Sequence, residues 1–154
     1  MVRCKSTSRF SSIKNFIVLA QTDTTVGFMS QDSTLLSDIK SRPSTKPFIK
    51  IYNSLQTLKN RIPSSQKTFI RRSKKTTFII NNKAFRIDDT TKNSQILRNL
   101  SWHYSTSANE SSQKFNREFC ELKADIIIEN KDGLRELSSS QLLKLNKQKI
   151  RKLR

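Results

Sequence analysis

The chain has 154 residues, a length that suits one domain built around one core. Lys and Arg number 30 against 12 Asp and Glu, a net charge of +18, and apolar residues make up 34%. No apolar run is long enough for a spanning helix, and the charge is spread along the chain rather than gathered on one amphipathic helix, which argues against a membrane anchor.

Met1 to Phe16 is basic and serine-rich, without an acidic residue. It fits a mitochondrial-type presequence or a basic arm before the first strand. Basic character continues through the whole chain, which favours an arm over residues 1–12 and a domain over 13–154. Phe16-Ile-Val-Leu-Ala20 is a short continuous apolar run and predicts a buried strand. The hydroxyl-rich turn from Gln21 to Phe28 follows, and Gly27 is expected to supply a backbone shape that other residues resist. A helix is predicted from Ser33, with Leu35, Leu36 and Ile39 on one face and Pro43 as its stop.

Phe48 to Tyr52 predicts a strand. Ser54 to Arg61 predicts a helix with Leu55 and Leu58 inward. Thr76 to Ile80 and Lys83 to Ile87 form a predicted hairpin around Asn81-Asn82, a pair that accepts positive φ. A helix is expected near Ser94 to Leu100, and a strand over Trp102 to Ser105. The loop Ser105 to Ser112, a helix over Phe115 to Leu122 and a strand over Asp125 to Glu129 come next. Two final strands fit Gln141 to Leu145 and Lys149 to Leu153. With no repeats and no linker, the pattern predicts one mixed α/β domain.

The charge excess repels itself in the compact state unless polyanions lie near, and nucleotide phosphates or RNA are the usual partners for that sign. An anionic membrane surface is the competing partner. Cys4 and Cys120 cannot build a disulfide framework or a zinc site, so a reducing cytoplasm is the plain expectation. His103 is the sole histidine, and no Cys/His set has metal-ligand spacing. A strand histidine with a satisfied hydrogen bond is favoured over a triad member. Paired carboxylates and glycine-rich phosphate loops are lacking.

What remains is Lys, Arg, Ser and Thr. That set binds polyphosphate and neutralises charge that develops during transfer. A substrate carboxylate attacking a phosphate of ATP is already charged and needs no general base, so positioning would carry the rate. Three segments fit such a role. Lys40-Ser41-Arg42-Pro43, followed by Lys46, offers a point charge and a planar fork. Ser105-Thr106-Ser107-Ala108-Asn109 offers alternating hydroxyls and an amide. Thr22-Asp23-Thr24 follows a buried strand, where open α/β sheets place ligands. Taken singly, the first two segments read as a solvated basic turn and an ordinary polar turn.

In order along the chain, these segments resemble the YrdC-like threonylcarbamoyl-AMP synthases. That signature runs Thr-Asp/Glu-Thr-x-Tyr-Gly, Lys-x-Arg-Pro, a threonine before an apolar strand, and Ser-x-Asn within Ser-Thr-Ser-Ala-Asn. Here the matching residues are Thr22 to Gly27, Lys40 to Pro43, Thr77 before Phe78-Ile79-Ile80, and Ser105 to Asn109. Arg86, Ser140 and Arg151 match a later arginine, a closing serine and a terminal arginine. The resemblance spans the chain from about Phe16 onward. It implies a twisted mixed sheet around a basic concave cavity. It also implies a nucleotidyltransferase that makes threonylcarbamoyl-AMP and pyrophosphate from L-threonine, bicarbonate and ATP. The product would serve threonylcarbamoyl modification of tRNA through partner proteins.

By carry-over, Lys40, Arg42 and Lys46 would line the triphosphate path, with Lys40 and Arg42 as the catalytic cations. Thr77, Ser107 and Arg151 would contact the nucleotide, and Asn109 would brace its loop. Thr22 or Thr24, Arg86, Ser105 and Ser140 would hold the threonine. Magnesium would arrive with the ATP. The chain departs from the pattern at Val26, Ile51, Ser73-Lys74-Lys75 and Ser112, and its segment between Pro47 and Thr77 is short, so a helix there is expected to be trimmed. The additional domain of longer relatives is not expected. Two other functions compete: a non-catalytic module on the same fold that binds double-stranded RNA or tRNA, and a carbamoyl-handling enzyme related to hydrogenase maturation.

Overall fold

A computed structural model describes residues 2–4, 15–41, 47–58, 62–88, 97, 100–110, 113–146 and 149–154. Its strands are β1 (Val2–Cys4), β2 (Val18–Gln21), β3 (Val26–Ser30), β4 (Ile49–Tyr52), β5 (Thr76–Ile80), β6 (Lys83–Ile87), β7 (Trp102–Ser107), β8 (Ile126–Ile128), β9 (Gln141–Leu145) and β10 (Ile150–Lys152). Its α-helices are α1 (Ser33–Lys40), α2 (Ser64–Arg72) and α3 (Arg117–Lys123). The strands form one mixed sheet in the order β1-β8-β2-β3-β7-β4-β6-β5-β9-β10. The pairs β2·β8, β4·β6 and β5·β9 are parallel, and the other neighbours are antiparallel. This is the mixed α/β sheet that the sequence predicts. No described helix is long and apolar enough to cross a membrane.

Successive side chains on a strand point to opposite faces, so the pairing register assigns each residue to one side. One face packs beneath the helices. Phe28, Leu19 and Ile127 form a cluster with Leu36 and Ile39 of α1 and Cys120 of α3. Phe78, Phe85 and Leu143 form a second cluster with Ile70 of α2. On the other face, Val18, Ala20, Met29 and Ile126 pack with Leu97 and Leu100. The rest of that face, from Gly27 through Ser105 and Ile51 to Arg86, is left to the site.

α1 begins where the sequence places it. Asp32 caps it, accepting from the Thr34 N–H at 2.8 Å and the Thr34 hydroxyl at 2.7 Å. Those bonds favour the ionised carboxyl and hold it below the usual aspartate range. At the other end Ser41 takes a left-handed conformation (φ 45°) and its N–H closes on the Asp38 carbonyl at 3.2 Å. The hairpin β5–β6 turns through Asn81 (φ 50°) and Asn82 (φ 59°), both positive as expected.

Several expectations need correction. Ser54 to Arg61 is not an α-helix: Leu55–Thr57 form a single 3-10 turn, and residues 59–61 lie outside the described set. Leu55 and Leu58 still pack inward, because a tight turn also brings positions three apart together. α2, further along the same short segment, is a helix for which the sequence predicts no element. Its buried positions are only Gln66 and Ile70, because the adjacent Phe69 faces outward, so one apolar residue marks its inner face. Gly27 has no left-handed conformation and sits inside β3. Its reason is space: a Cβ there would stand 3.1 Å from the Thr106 carbonyl oxygen and 3.3 Å from Ser105 Oγ. Val2–Cys4, expected within the basic arm, form β1 against β8. The rest of residues 1–12, most of the helix expected near 94–100, and Ser112 lie outside the described residues.

Candidate active site

A cavity of about 290 Å³ opens on the sheet face opposite the helices. Thr22, Thr24 and Thr25 from the β2–β3 turn line it, together with Gly27, Ile49 and Ile51 of neighbouring strands. Arg86 of β6, Ser105 and Ser107 of β7, Ser139, Ser140 and Arg154 complete much of the wall. Pro47 and Phe48 add to its apolar side.

The β2–β3 turn is built by its own hydroxyls. Thr22 Oγ1 accepts the N–H groups of Thr24 and Thr25, each at 3.1 Å, and donates to the Thr25 carbonyl at 2.6 Å. This pattern ties the turn without glycine. It aims Asp23 and Thr24 at β6, where Arg86 is 5% exposed. Arg86 Nη1 donates to Asp23 Oδ1 at 2.8 Å and to Thr24 Oγ1 at 2.9 Å, and Nη2 donates to Thr77 Oγ1 at 3.1 Å. Thr77 Oγ1 meets Ser140 Oγ at 3.0 Å. Asp23 Oδ2 also accepts the Lys75 N–H at 3.0 Å, which fastens the Ser73–Lys75 segment to the turn. The charge on Arg86 is thus paired, while its Nε finds no partner among the described residues.

A second group lies behind the β7 loop. Lys40, 7% exposed, donates from Nζ to the Ser107 carbonyl at 3.2 Å, the Asn109 carbonyl at 2.5 Å and Asn109 Oδ1 at 2.7 Å. Ser107 Oγ donates to the same Oδ1 at 2.7 Å. Lys40 and Asn109 therefore converge with Ser107, as the motif order requires. The ammonium grips the loop, however, and Lys40 is not among the residues that line the cavity.

Of the residues singled out from the sequence, Thr22, Thr24, Arg86, Ser105, Ser107 and Ser140 line one cavity. Thr77 lies directly beneath, bonded to two of them. Arg42 and Lys46 fall outside the described residues. Arg151 is exposed on β10, paired with Lys144, and does not line the cavity. Arg154 does, and its Nη2 donates to the Ser140 carbonyl at 3.2 Å. β10 runs antiparallel to β9 and the pairing continues past it, the Leu153 N–H reaching the Leu142 carbonyl at 2.8 Å, which carries Arg154 rather than Arg151 up to Ser140. Sequence reasoning gave no role to Asp23 as the partner of Arg86, or to Ser139 and Phe48. The turn motif contains Asp23, which was the available signal.

His103 shares this face as the cross-strand partner of Ile51. It is 0% exposed, and neither ring nitrogen has a partner among the described residues. The satisfied hydrogen bond expected for it is not there. Burial pushes its pKa down to about 4, because the charged imidazolium is poorly solvated.

No protein-family model matches the chain, and no curated protein does. Solved structures do match. P. abyssi Sua5, solved in complex with L-threonine, is 20% identical with a TM-score of 0.71, over 92% of this chain and 51% of that one. The chain thus spans about half the length of Sua5. The solution structure of MTH1692 from Methanobacterium thermoautotrophicum is 18% identical with a TM-score of 0.63, over 97% and 90% of the two chains. E. coli YciO is 14% identical with a TM-score of 0.66, over 90% and 82%. These likenesses make the chain YrdC-like in fold.

Proposed function

We propose that the chain is a threonylcarbamoyl-AMP synthase, acting on L-threonine, bicarbonate and ATP. The observation that carries this reading is the convergence of Arg86, Thr22, Thr24, Ser105, Ser107 and Ser140, from four separate segments, on one small cavity. In support, Sua5, which shares the fold, was solved with L-threonine bound. The cavity volume suits an amino acid better than a whole nucleotide triphosphate, so the phosphates would extend toward the mouth.

In the proposed reaction the threonine amine takes up bicarbonate as a carbamate, with loss of water. A carbamate oxygen then attacks the α-phosphorus of ATP, and the bond to the β-phosphate breaks to release pyrophosphate. The nucleophile carries its own charge, so the protein's task is to orient it and to offset charge on the leaving group. Arg86 and the Thr22, Thr24, Ser105 and Ser140 hydroxyls would hold threonine, and Thr77 would brace Arg86. Ser107 and Arg154 would contact the nucleotide, Arg154 taking the part that motif order gave to Arg151. Lys40 would act by fixing the Ser107–Asn109 loop, and Arg42 and Lys46 would meet the phosphates. Magnesium would enter on the nucleotide, held by its phosphate oxygens. The product would pass to partner proteins that modify tRNA.

The test is pyrophosphate release from ATP by the purified chain. Release is expected only when both threonine and bicarbonate are present. ATP binding without such release would overturn the proposal. A second reading, a non-catalytic RNA-binding module, is favoured by the net charge of +18. The double variant Lys40→Ala, Arg42→Ala separates the two. A synthase loses activity outright, whereas an RNA module weakens only in proportion to the charge removed.

A further inference from the structure

The opposite face of the sheet carries a different constellation. Lys50 pairs with Tyr104 across β4 and β7, and Tyr52 pairs with Trp102. By strand alternation these four side chains point away from Ile51, His103 and Ser105. The Trp102 and Tyr104 rings meet edge to face, with centroids 5.3 Å apart and planes at 79°. Lys50 Nζ stands 3.5 Å from the Trp102 centroid and 5.6 Å from that of Tyr104. Tyr104 packs at the margin of the core beneath α1 and α3, and Trp102 at the margin of the core beneath α2. Both rings stay partly exposed between those two helical layers.

Trp102 and Tyr104 also wall an open groove of about 630 Å³. Its other sides are mostly polar, with Asn15, Gln31, Asp32 and Ser101 beside the single aliphatic Leu100. The Gln31 amide is held in place by donating to the Trp102 carbonyl at 2.7 Å. Aromatic faces stack on any nucleobase, and amide, hydroxyl and carboxylate groups can meet a base edge. A cation held at the rings suits the phosphate that accompanies each base. The Asp32 carboxylate disfavours a phosphate beside it, so the backbone would run on the Lys50 side and base edges would face Asp32. A polar groove floored by two aromatic rings is poorly matched to an apolar peptide or lipid chain.

We propose that this groove binds unpaired nucleotides of an RNA strand, with bases stacked on Tyr104 and Trp102 and a phosphate neutralised by Lys50. The site lies across the sheet from the cavity and does not depend on the reaction proposed there. The net charge of +18 supplies the long-range attraction; the rings supply the preference for unpaired bases.

Trp102 is the sole tryptophan, so its fluorescence reports on this site alone. The full chain is titrated with a fluorescein-labelled oligoadenylate RNA about ten nucleotides long, at low salt, following label anisotropy and tryptophan emission. Saturable quenching that coincides with the anisotropy change is expected. Tyr104→Leu, which keeps apolar packing and removes the ring, is expected to weaken binding about 5- to 100-fold, and Tyr104→Phe to leave it nearly unchanged. Lys50→Met is expected to flatten the log–log salt slope by about 0.7. A duplex of the same length is expected to be indifferent to Tyr104→Leu. The proposal is overturned if the RNA does not bind, if it binds with no change in Trp102 emission, or if Tyr104→Leu binds as tightly as wild type. The same oligomer as DNA binding equally well assigns the site to unpaired bases in general and overturns the restriction to RNA.

Discussion

His103 is the only histidine in the chain and is wholly enclosed, so its protonation leaves a readable mark on folding. Its pKa falls from 6.5 when unfolded to about 4 when folded, with burial as the cause. Between those values the unfolded chain binds a proton that the folded chain refuses. Stability is therefore fully present above pH 6.5 and is lost as pH falls toward 4. The complete loss amounts to about 3 kcal/mol. Linkage puts about 1.3 kcal/mol of it between about pH 7.5 and 5.5, a window in which ordinary carboxylates stay ionised. Urea denaturation across that window should show this decline in the wild type. His103→Leu should abolish it and, by replacing an imidazole with two unpartnered nitrogens, should leave the protein at pH 7 as stable or more stable by about 1–3 kcal/mol. A wild-type stability that stays flat over the window, or a His103→Leu variant with the same slope, would refute the reasoning.

Two further perturbations probe the cavity. Arg86→Leu strands the Asp23 carboxylate and two threonine hydroxyls in a site where the paired side chains are 7% and 14% exposed, so a loss of about 3–5 kcal/mol is expected. Thermal denaturation should show a Tm fall on the order of 10 °C, and the double variant Arg86→Leu, Asp23→Leu should recover part of it; a double variant as unstable as the sum of the two singles counters the pairing. Gly27→Ala places a Cβ against the rigid Thr106 carbonyl, for an overpacking cost of about 1–3 kcal/mol. That outweighs the roughly 0.4–1 kcal/mol gained from a stiffer unfolded chain, so the denaturation midpoint should drop and threonine binding by calorimetry should weaken; an unchanged midpoint would show that the strands can yield there.

Much of the local structure is written in short stretches of sequence. α1 could be placed because Leu35, Leu36 and Ile39 lie at helical spacing ahead of Pro43. The β5–β6 hairpin could be placed because Asn81-Asn82 accept positive φ where most residues resist it. Motif order alone marks six residues that line the cavity, Thr22, Thr24, Arg86, Ser105, Ser107 and Ser140. α2 leaves no pattern in the sequence because one buried isoleucine makes no period, and the Leu55–Leu58 spacing fits a 3-10 turn as well as a helix.

Local patterns are legible because dihedral preference and side-chain period act over a few residues. Which distant groups meet is another matter, decided by strand register. The parallel pairing of β5 with β9 brings Thr77 to Ser140, and the placement of β6 beside β4 sets Arg86 within reach of Asp23, 63 residues away in sequence. The packing of α1 against the sheet turned Lys40 into the loop it braces, and the continued pairing of the chain end with β9 put Arg154 rather than Arg151 at the cavity. Such choices rest on the joint packing of two sheet faces, and no single segment contains them.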